Sequence, residues 1–301
     1  MRRLTYTAKA ADEGRTVQSI LCREFACSQS HLSRLKRREE GILQNGARCY
    51  VTARVKEGDV LSFEIGDLPD GHIVPMAYPL NVVYEDEDLL IIDKPAGIAV
   101  HQSTRDPEEL TLENAVCYYL GGLISPHPVS RLDRGTSGLM AFAKSGYVHE
   151  RLRRQMHTEG YARTYLGVAV GRVVPPEGVI ELPIGMAQGS TYQRAIVPEG
   201  QSARTEYFTL AANERFTLLR LVPKTGRTHQ LRLHLSAIGY PLAGDWLYGA
   251  EDRALIARPA LHSHTLTLTH PITGERIHLT AELPEDMRRL IELPDDTEET
   301  R

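Results

Sequence analysis

From residue 81 toward the C-terminus, short apolar segments follow one another with few interruptions, and this succession constrains the fold more than any other feature. LLIID, GLMAFAKS, YARTYLGVAVG, RTEYFTLAA, FTLLRLVP and HTLTLTHP each have the length and composition of a strand. Many are joined too closely for a crossover helix, so antiparallel neighbours are expected. Two helical stretches stand apart from them. Residues 146–157 place Val148, Leu152 and Met156 on one face, and residues 228–238 do the same with Leu231, Leu235 and Ile238. Strands in series with segregated helices predict an α+β fold on a mixed, mainly antiparallel sheet and argue against a doubly wound one.

The first part of the chain reads differently. Val17, Ile20, Leu21 and Phe25 fit one helical face, and Ser28 is placed to cap a second helix that carries Leu32 and Leu35 and is ended by Gly41. In GILQNGARCYVTARVKEGDVLSFEI, Asn45-Gly46 between short apolar runs is the signature of a tight hairpin, and Glu57-Gly58-Asp59 marks a further turn. Two helices followed by a small sheet predict a small α/β module. Gly and Pro then cluster in GDLPDGHIVPMAYPL, residues 66–80, where periodicity vanishes. The expected organisation is a module with linker over 1–75, a larger domain over 76–294 and an acidic tail over 295–301.

No apolar run approaches the roughly 20 residues that span a bilayer. Met1 leads into Arg2, Arg3 and LTYTAKAADEG without the apolar core of an export signal, so a cytoplasmic protein is expected. The four cysteines, at 22, 27, 49 and 117, lack zinc-ribbon spacing and are expected as thiols. The net charge of −4 hides an uneven distribution. Residues 28–56 carry seven Lys/Arg against two Glu, and residues 282–301 carry eight Asp/Glu against three Arg. Such a local basic patch can attract phosphate backbones even on an acidic chain.

Three stretches carry the candidate chemistry. In HPVSRLDRGTSGLMAFAKS, Asp133 stands between Arg131 and Arg134 just before an apolar strand; a solvated turn is the plain reading. In YARTYLG, Tyr161, Arg163 and Tyr165 share one side of a strand whose other, apolar side is expected to face the core. They form either ordinary surface or a platform on which an unstacked base lies. In PKTGRTHQLRLHLSAIGYPLAGDWLYG, a helical wheel sets Arg232 on the shoulder of the apolar stripe, from which it either snorkels outward or turns inward to a carboxylate. A buried pair adds little net stability, so a chemical role would explain it better.

Together these stretches resemble the RluA/RluD family of pseudouridine synthases. The resemblance runs through DKPAGIAVH, RLDRGTSGLM, YARTYLGVAVG and LHSHTLTLTHPITGERIHLTAELP, and covers nearly everything after residue 80. It implies Asp133 as the catalytic aspartate, Tyr165 against the target base and Arg232 as the salt bridge holding the aspartate. Arg131 or Arg134 would enter the gap left by an extruded base or hold a phosphate, with Arg163 as a further RNA-facing cation. The chain departs from the family pattern at Ser130, where most relatives have His, and at Arg163, where Lys is frequent. Ahead of it, SQSHLSRLKRREEGILQNGARCYVTARVKEGDVLSFEI resembles the small RNA-binding domain first known from a ribosomal small-subunit protein, the S-four fold. Taken alone, Arg34, Lys36, Arg37 and Arg38 are a solvated face; under this resemblance they contact RNA backbone.

The implied reaction isomerises uridine within RNA, large-subunit ribosomal RNA ahead of transfer RNA. The bond from ribose to ring nitrogen breaks, the uracil turns, and ring carbon 5 joins the sugar. A carboxylate can stabilise, deprotonate or capture the sugar as positive charge develops on it. Neither redox nor hydrolysis is involved, so no cofactor, nucleotide or metal is expected, and RNA is the expected partner of a monomer. Other chemistries fit less well. His229 and His234 stand five apart without the His-Glu-x-x-His pattern of a zinc protease, and His262 and His264 are expected beside a strand turn. PKTGRTHQ lacks phosphate-loop spacing, and no second carboxylate accompanies Asp133 as a glycoside hydrolase requires. The non-enzymatic alternative is a catalytically silent RNA-binding or ribosome-assembly factor on the same fold.

Overall fold

The computed structural model describes residues 2–292 apart from 68–72, 104, 105, 107, 123 and 157. The acidic tail expected at 295–301 lies outside the described residues. The N-terminal part comprises β1 (Arg3–Thr7), α1 (Val17–Arg23), α2 (Gln29–Lys36), β2 (Ile42–Gln44), β3 (Ala47–Arg48) and β4 (Val60–Glu64). Its four strands form a sheet in the order β1-β4-β2-β3. Val17, Ile20, Leu21, Leu32 and Leu35 are buried as their spacing predicts, and Ser28 Oγ accepts from the His31 amide at 3.2 Å. Asn45 and Gly46 both have positive φ, as the tight hairpin requires. Two details differ from expectation. β1 precedes the helices and pairs with β4, and α2 ends at Lys36, ahead of Gly41. Gly41 serves close packing instead, since a Cβ there would stand 2.1 Å from the Leu35 carbonyl oxygen.

The second part contains β5 (Asn81–Glu85), β6 (Leu89–Lys94), α3 (Leu112–Tyr119), β7 (His127–Pro128), β8 (Ser137–Ala143), α4 (Gly146–Gln155), β9 (Tyr161–Val170), β10 (Glu177–Ile180), β11 (Ile184–Met186), β12 (Arg194–Ile196), β13 (Thr205–Ala212), β14 (Phe216–Pro223), α5 (Gln230–Ala237), β15 (Leu261–Thr269), β16 (Arg276–Thr280) and α6 (Glu285–Glu292). One sheet runs β10-β13-β14-β9-β15-β8-β6-β5, with β16 on β15 and β7 on β8. Within it only β15 and β8 are parallel, so the fold is α+β with a mixed, mainly antiparallel sheet.

The middle of this sheet is covered on both faces, and β6 and β8 are accordingly apolar runs rather than alternating ones. The same fact corrects the expectation for β9. Tyr161 and Tyr165 are each only 6% exposed, while Ala162 and Val170, expected inside, are exposed. His262 and His264 lie within β15, not beside a turn. One hydrophobic cluster joins the two parts, with Leu21, Leu32 and Phe63 packing in the same core as Leu89, Ile91, Val148 and Leu152. The Phe25 carbonyl accepts from Tyr147 Oη at 2.7 Å and from Arg151 Nη1 at 2.9 Å, so α4 is tied to the N-terminal part by hydrogen bonds as well. Among the described residues, no helix is long and apolar enough to cross a membrane.

Candidate active site

The turn bearing Asp133 connects β7 to β8 and is held from several sides. The Thr136 amide closes it on the Asp133 carbonyl at 3.0 Å, and the Gly97 amide reaches the Arg134 carbonyl at 2.8 Å. Beneath it lies Lys94, fully buried at the end of β6. Its ammonium donates to the carbonyls of Pro95, Arg134 and Thr136 at 2.8, 3.1 and 2.9 Å. Burial, reinforced by the nearby Arg258 charge, pushes the Lys94 ammonium down to about 8. Two glycines complete the turn for steric reasons. A Cβ at Gly135 would stand 2.9 Å from the Pro259 ring, and Gly138, at φ 109°, would put one 2.3 Å from the Ser263 carbonyl oxygen. Gly138 therefore permits the close parallel pairing of β8 with β15, which Ser137 Oγ and His262 Nδ1 reinforce at 2.9 Å.

Arg232 turns inward rather than outward, because α5 is buried along nearly its whole length and has no exposed shoulder. Its Nη1 stands 3.3 Å from Asp133 Oδ2. Its stronger attachment is to Asp245, in a two-pronged pair with Nε to Oδ2 and Nη2 to Oδ1 both at 2.7 Å. Burial opposes the charge of Arg232, yet Asp245 ahead of Asp133 holds its pKa above the ordinary arginine value. Asp245 also accepts from the amides of Leu247 and Tyr248 at 3.1 and 3.2 Å, and its side chain is 0% exposed. Asp133, by contrast, is 27% exposed and opens onto a cleft of about 660 Å³.

The cleft brings together Arg131, Asp133, Arg134, Arg163, Tyr165 and Arg232, drawn from three separate stretches of sequence. Arg134 is forked onto Glu109, Arg131 is exposed, and the Arg163 guanidinium lies 5.6 Å from the centre of the Tyr161 ring. Arg34, Lys36, Arg37 and Arg38 do not line it. Nor do these four form one cationic surface. Arg34, though exposed, pairs with Asp67 at 2.8 Å and the half-buried Arg38 pairs with Glu64 at 2.8 Å, while Lys36 and Arg37 are exposed.

Sequence reasoning missed Asp245 and Lys94 and considered His229 only as a metal ligand. An Asp inside the otherwise apolar and Gly-rich PLAGDWLYG is the available signal for Asp245, since a buried acid needs a cation. His229 lines the cleft with Nε2 4.0 Å from Asp133 Oδ1, and burial holds its pKa below the usual imidazole range against the pull of that aspartate.

Comparison with known proteins decides the family of the chain. The sequence model described as RNA pseudouridylate synthase matches residues 88–237. An RNA pseudouridine synthase of Bacillus subtilis named YhcT, itself uncharacterized, is 38% identical over 241 residues, spanning 78% of this chain and 79% of that one. The chain belongs to the RNA pseudouridine synthases. The ribosomal large subunit pseudouridine synthase D of Yersinia pestis is 37% identical over 262 residues, covering 82% of this chain and 80% of its own. Human RNA pseudouridylate synthase domain containing 1 superposes with a TM-score of 0.57 at 22% identity, over 73% of this chain and 97% of that one, and shares the fold. As a pseudouridine synthase the protein is an isomerase acting on RNA, converting uridine to pseudouridine. The signature turn, β9 and α5 all lie within the matched residues, whereas Asp245 falls just beyond them.

Proposed function

We propose that this isomerase modifies large-subunit ribosomal RNA as a monomer, with Asp133 acting on the ribose, Arg232 holding Asp133 and Tyr165 lying against the target base. The single observation that carries the reading is the attachment of Arg232. Anchored by Asp245 on one side, it presents its remaining nitrogen to a carboxylate that faces a cleft. An anchored guanidinium fixes the carboxylate before substrate arrives, and so avoids reorganisation during the reaction. Arg131, Arg134 and Arg163 would contact the phosphates around an extruded nucleotide, whose unstacking costs a few kcal/mol recovered through new contacts. The ribosomal assignment is supported by relatives named ribosomal large subunit pseudouridine synthase D, which align over about four fifths of the chain.

Residues 1–75 are proposed as an S-four-like RNA-binding module with its linker, and residues 76–294 as the catalytic domain. Lys36 and Arg37, which point outward, are the members of the basic helix best placed for backbone contacts, with Arg34 and Arg38 contributing once their acidic partners yield to phosphate. The cytoplasm is the compartment proposed for this protein. The test is to map pseudouridines in ribosomal and transfer RNA from a strain lacking the gene against its parent. Loss of one or more ribosomal sites, restored by the parent gene and not by Asp133→Asn, is the expected result. Ribosomal RNA modified identically in both strains overturns the substrate assignment, and an active Asp133→Asn protein overturns the role of the aspartate.

A further inference from the structure

Helix capping does not account for His229. It stands at the N-terminal boundary of α5 with φ 58° and ψ 17°, a left-handed conformation uncommon outside glycine, which histidine, like asparagine and aspartate, adopts more often than other residues do. Residues at such boundaries ordinarily repay their place by capping the helix, and the His229 ring makes no capping bond. Its ring is directed to the cleft instead, beside Asp133. Strained backbone that presents a polar group to a cleft is characteristic of functional positions.

The hydrogen bonds around the ring suit the tautomer with its hydrogen on Nε2. Tyr248 Oη accepts from the Arg194 amide at 2.9 Å and stands 2.9 Å from His229 Nδ1. With its oxygen already accepting from that amide, the Tyr248 hydroxyl is placed to donate its hydrogen to Nδ1. Nδ1 is then the accepting nitrogen, and the hydrogen of the imidazole resides on Nε2, the atom 4.0 Å from Asp133 Oδ1 on the cleft side. The ring is held edge-on to Tyr248, with centroids 5.6 Å apart, and Arg232 lies 5.3 Å from the centre of the same tyrosine ring. Tyr248 thus orients the imidazole from the network that also anchors Arg232.

We propose that His229 is a further catalytic residue, whose Nε2–H donates a hydrogen bond to a ring carbonyl of the target uracil as its bond to ribose breaks. When that bond breaks, its electron pair stays with the pyrimidine, and the negative charge collects on the carbonyl oxygens. The sugar becomes positive beside Asp133. A donor aimed at the base therefore stabilises the half of the charge separation that the aspartate repels. The hydrogen stays on the imidazole throughout, so the step needs no additional acid or base. A preorganised donor of this kind strengthens as charge develops and contributes to rate more than to binding. This inference rests on the assignment of Asp133 to the ribose made above.

The experiment compares His229→Gln, which keeps an N–H near the position of Nε2, with His229→Met, of similar size and without a donor. Each is followed under single-turnover conditions on a ribosomal RNA transcript that the parent protein modifies, and on the same transcript made with 5-fluorouridine, by the disappearance of the original nucleotide from digests, because carbon 5 of the fluorinated ring has no hydrogen to release. The electron-withdrawing fluorine stabilises the pyrimidine anion by itself. On uridine, His229→Met is expected to be slower by about 10²–10³-fold and His229→Gln by no more than about tenfold, with RNA affinity unchanged in both. On 5-fluorouridine, the His229→Met deficit is expected to shrink to about tenfold or less. A structural role would slow both transcripts alike, so equal deficits on the two overturn the proposal, as does a His229→Met protein within about threefold of the parent. Should His229→Met fail to fold, His229→Ala replaces it in the same comparison. Asp133→Asn run alongside separates the two assignments: if it keeps full activity, the reading of Asp133 falls first, whatever the His229 variants do.

Discussion

Two aspartates in this protein are each approached by an arginine and a histidine, and they have opposite fates. Asp67, between the N-terminal sheet and the larger sheet, receives Arg34 at 2.8 Å and His127 at 2.7 Å, together with the Gly146 amide at the start of α4. Its side chain is 7% exposed. Its pKa falls below the ordinary carboxylate value, because the bonds from His127 and Gly146 outweigh the cost of burial. Asp133 has the same kinds of neighbour at 3.3 and 4.0 Å and keeps 27% of its side chain open. The first arrangement is closed and joins two parts of the fold. The second holds a carboxylate in place while leaving its oxygens room for a partner that is not protein. The difference lies in distance and access, not in residue types.

Asp133→Asn breaks the comparison most severely. It should lower the rate of tritium release from uridine labelled at ring carbon 5 by at least about 10³-fold while leaving RNA affinity and unfolding free energy nearly unchanged. Asp245→Ala should reverse that pattern of stability. It leaves Arg232 buried without its main counter-charge, and denaturant unfolding should report a loss of about 3–5 kcal/mol. Acid should act on the two parts of the molecule through different histidines. His31 in the module and His262 in the sheet are both lowered to about 4, each chiefly by burial. The unfolded chain then binds protons between about pH 6.5 and 4 that the folded chain refuses. Stability should therefore fall by a few kcal/mol as the pH drops through that window, and replacing either histidine by Gln or Asn should flatten the slope. Asp67→Asn is the mildest change, with an expected loss of about 1–2 kcal/mol. It sharpens the comparison if the single-turnover rate is unchanged, and breaks it if catalysis falls as far as stability.

Local features were legible in the sequence and relations between distant segments were not. Ser28 capping α2, the turn at Asn45-Gly46 and the strands from LLIID to HTLTLTHP depend on neighbours within a few residues, and the fold carries them. The contact of Arg232 with Asp133 agrees with the family resemblance; a helical wheel alone left two directions open for that arginine. Asp245 was hidden because its importance lies in a partner 13 residues away that it meets only after α5 turns back. The two tyrosines of β9 were misplaced for a related reason. Alternation along a strand tells which residues share a side, but not that the sheet is covered on both. The basic helix shows the same limit, since Arg34 and Arg38 meet acids lying near residue 65, beyond the reach of a charge count.

Because β15 lies between β8 and β9, strands that precede it by many residues, the order of synthesis differs from the order of assembly. While the chain is being made, β8 and β9 each wait with an unpaired edge, and the turn carrying Asp133 has nothing beside Gly138 to lean on. A polypeptide halted before residue 261 would keep those edges open and be prone to mispairing and aggregation. Competence for chemistry thus waits for residues 261–269 to be made and to enter the sheet.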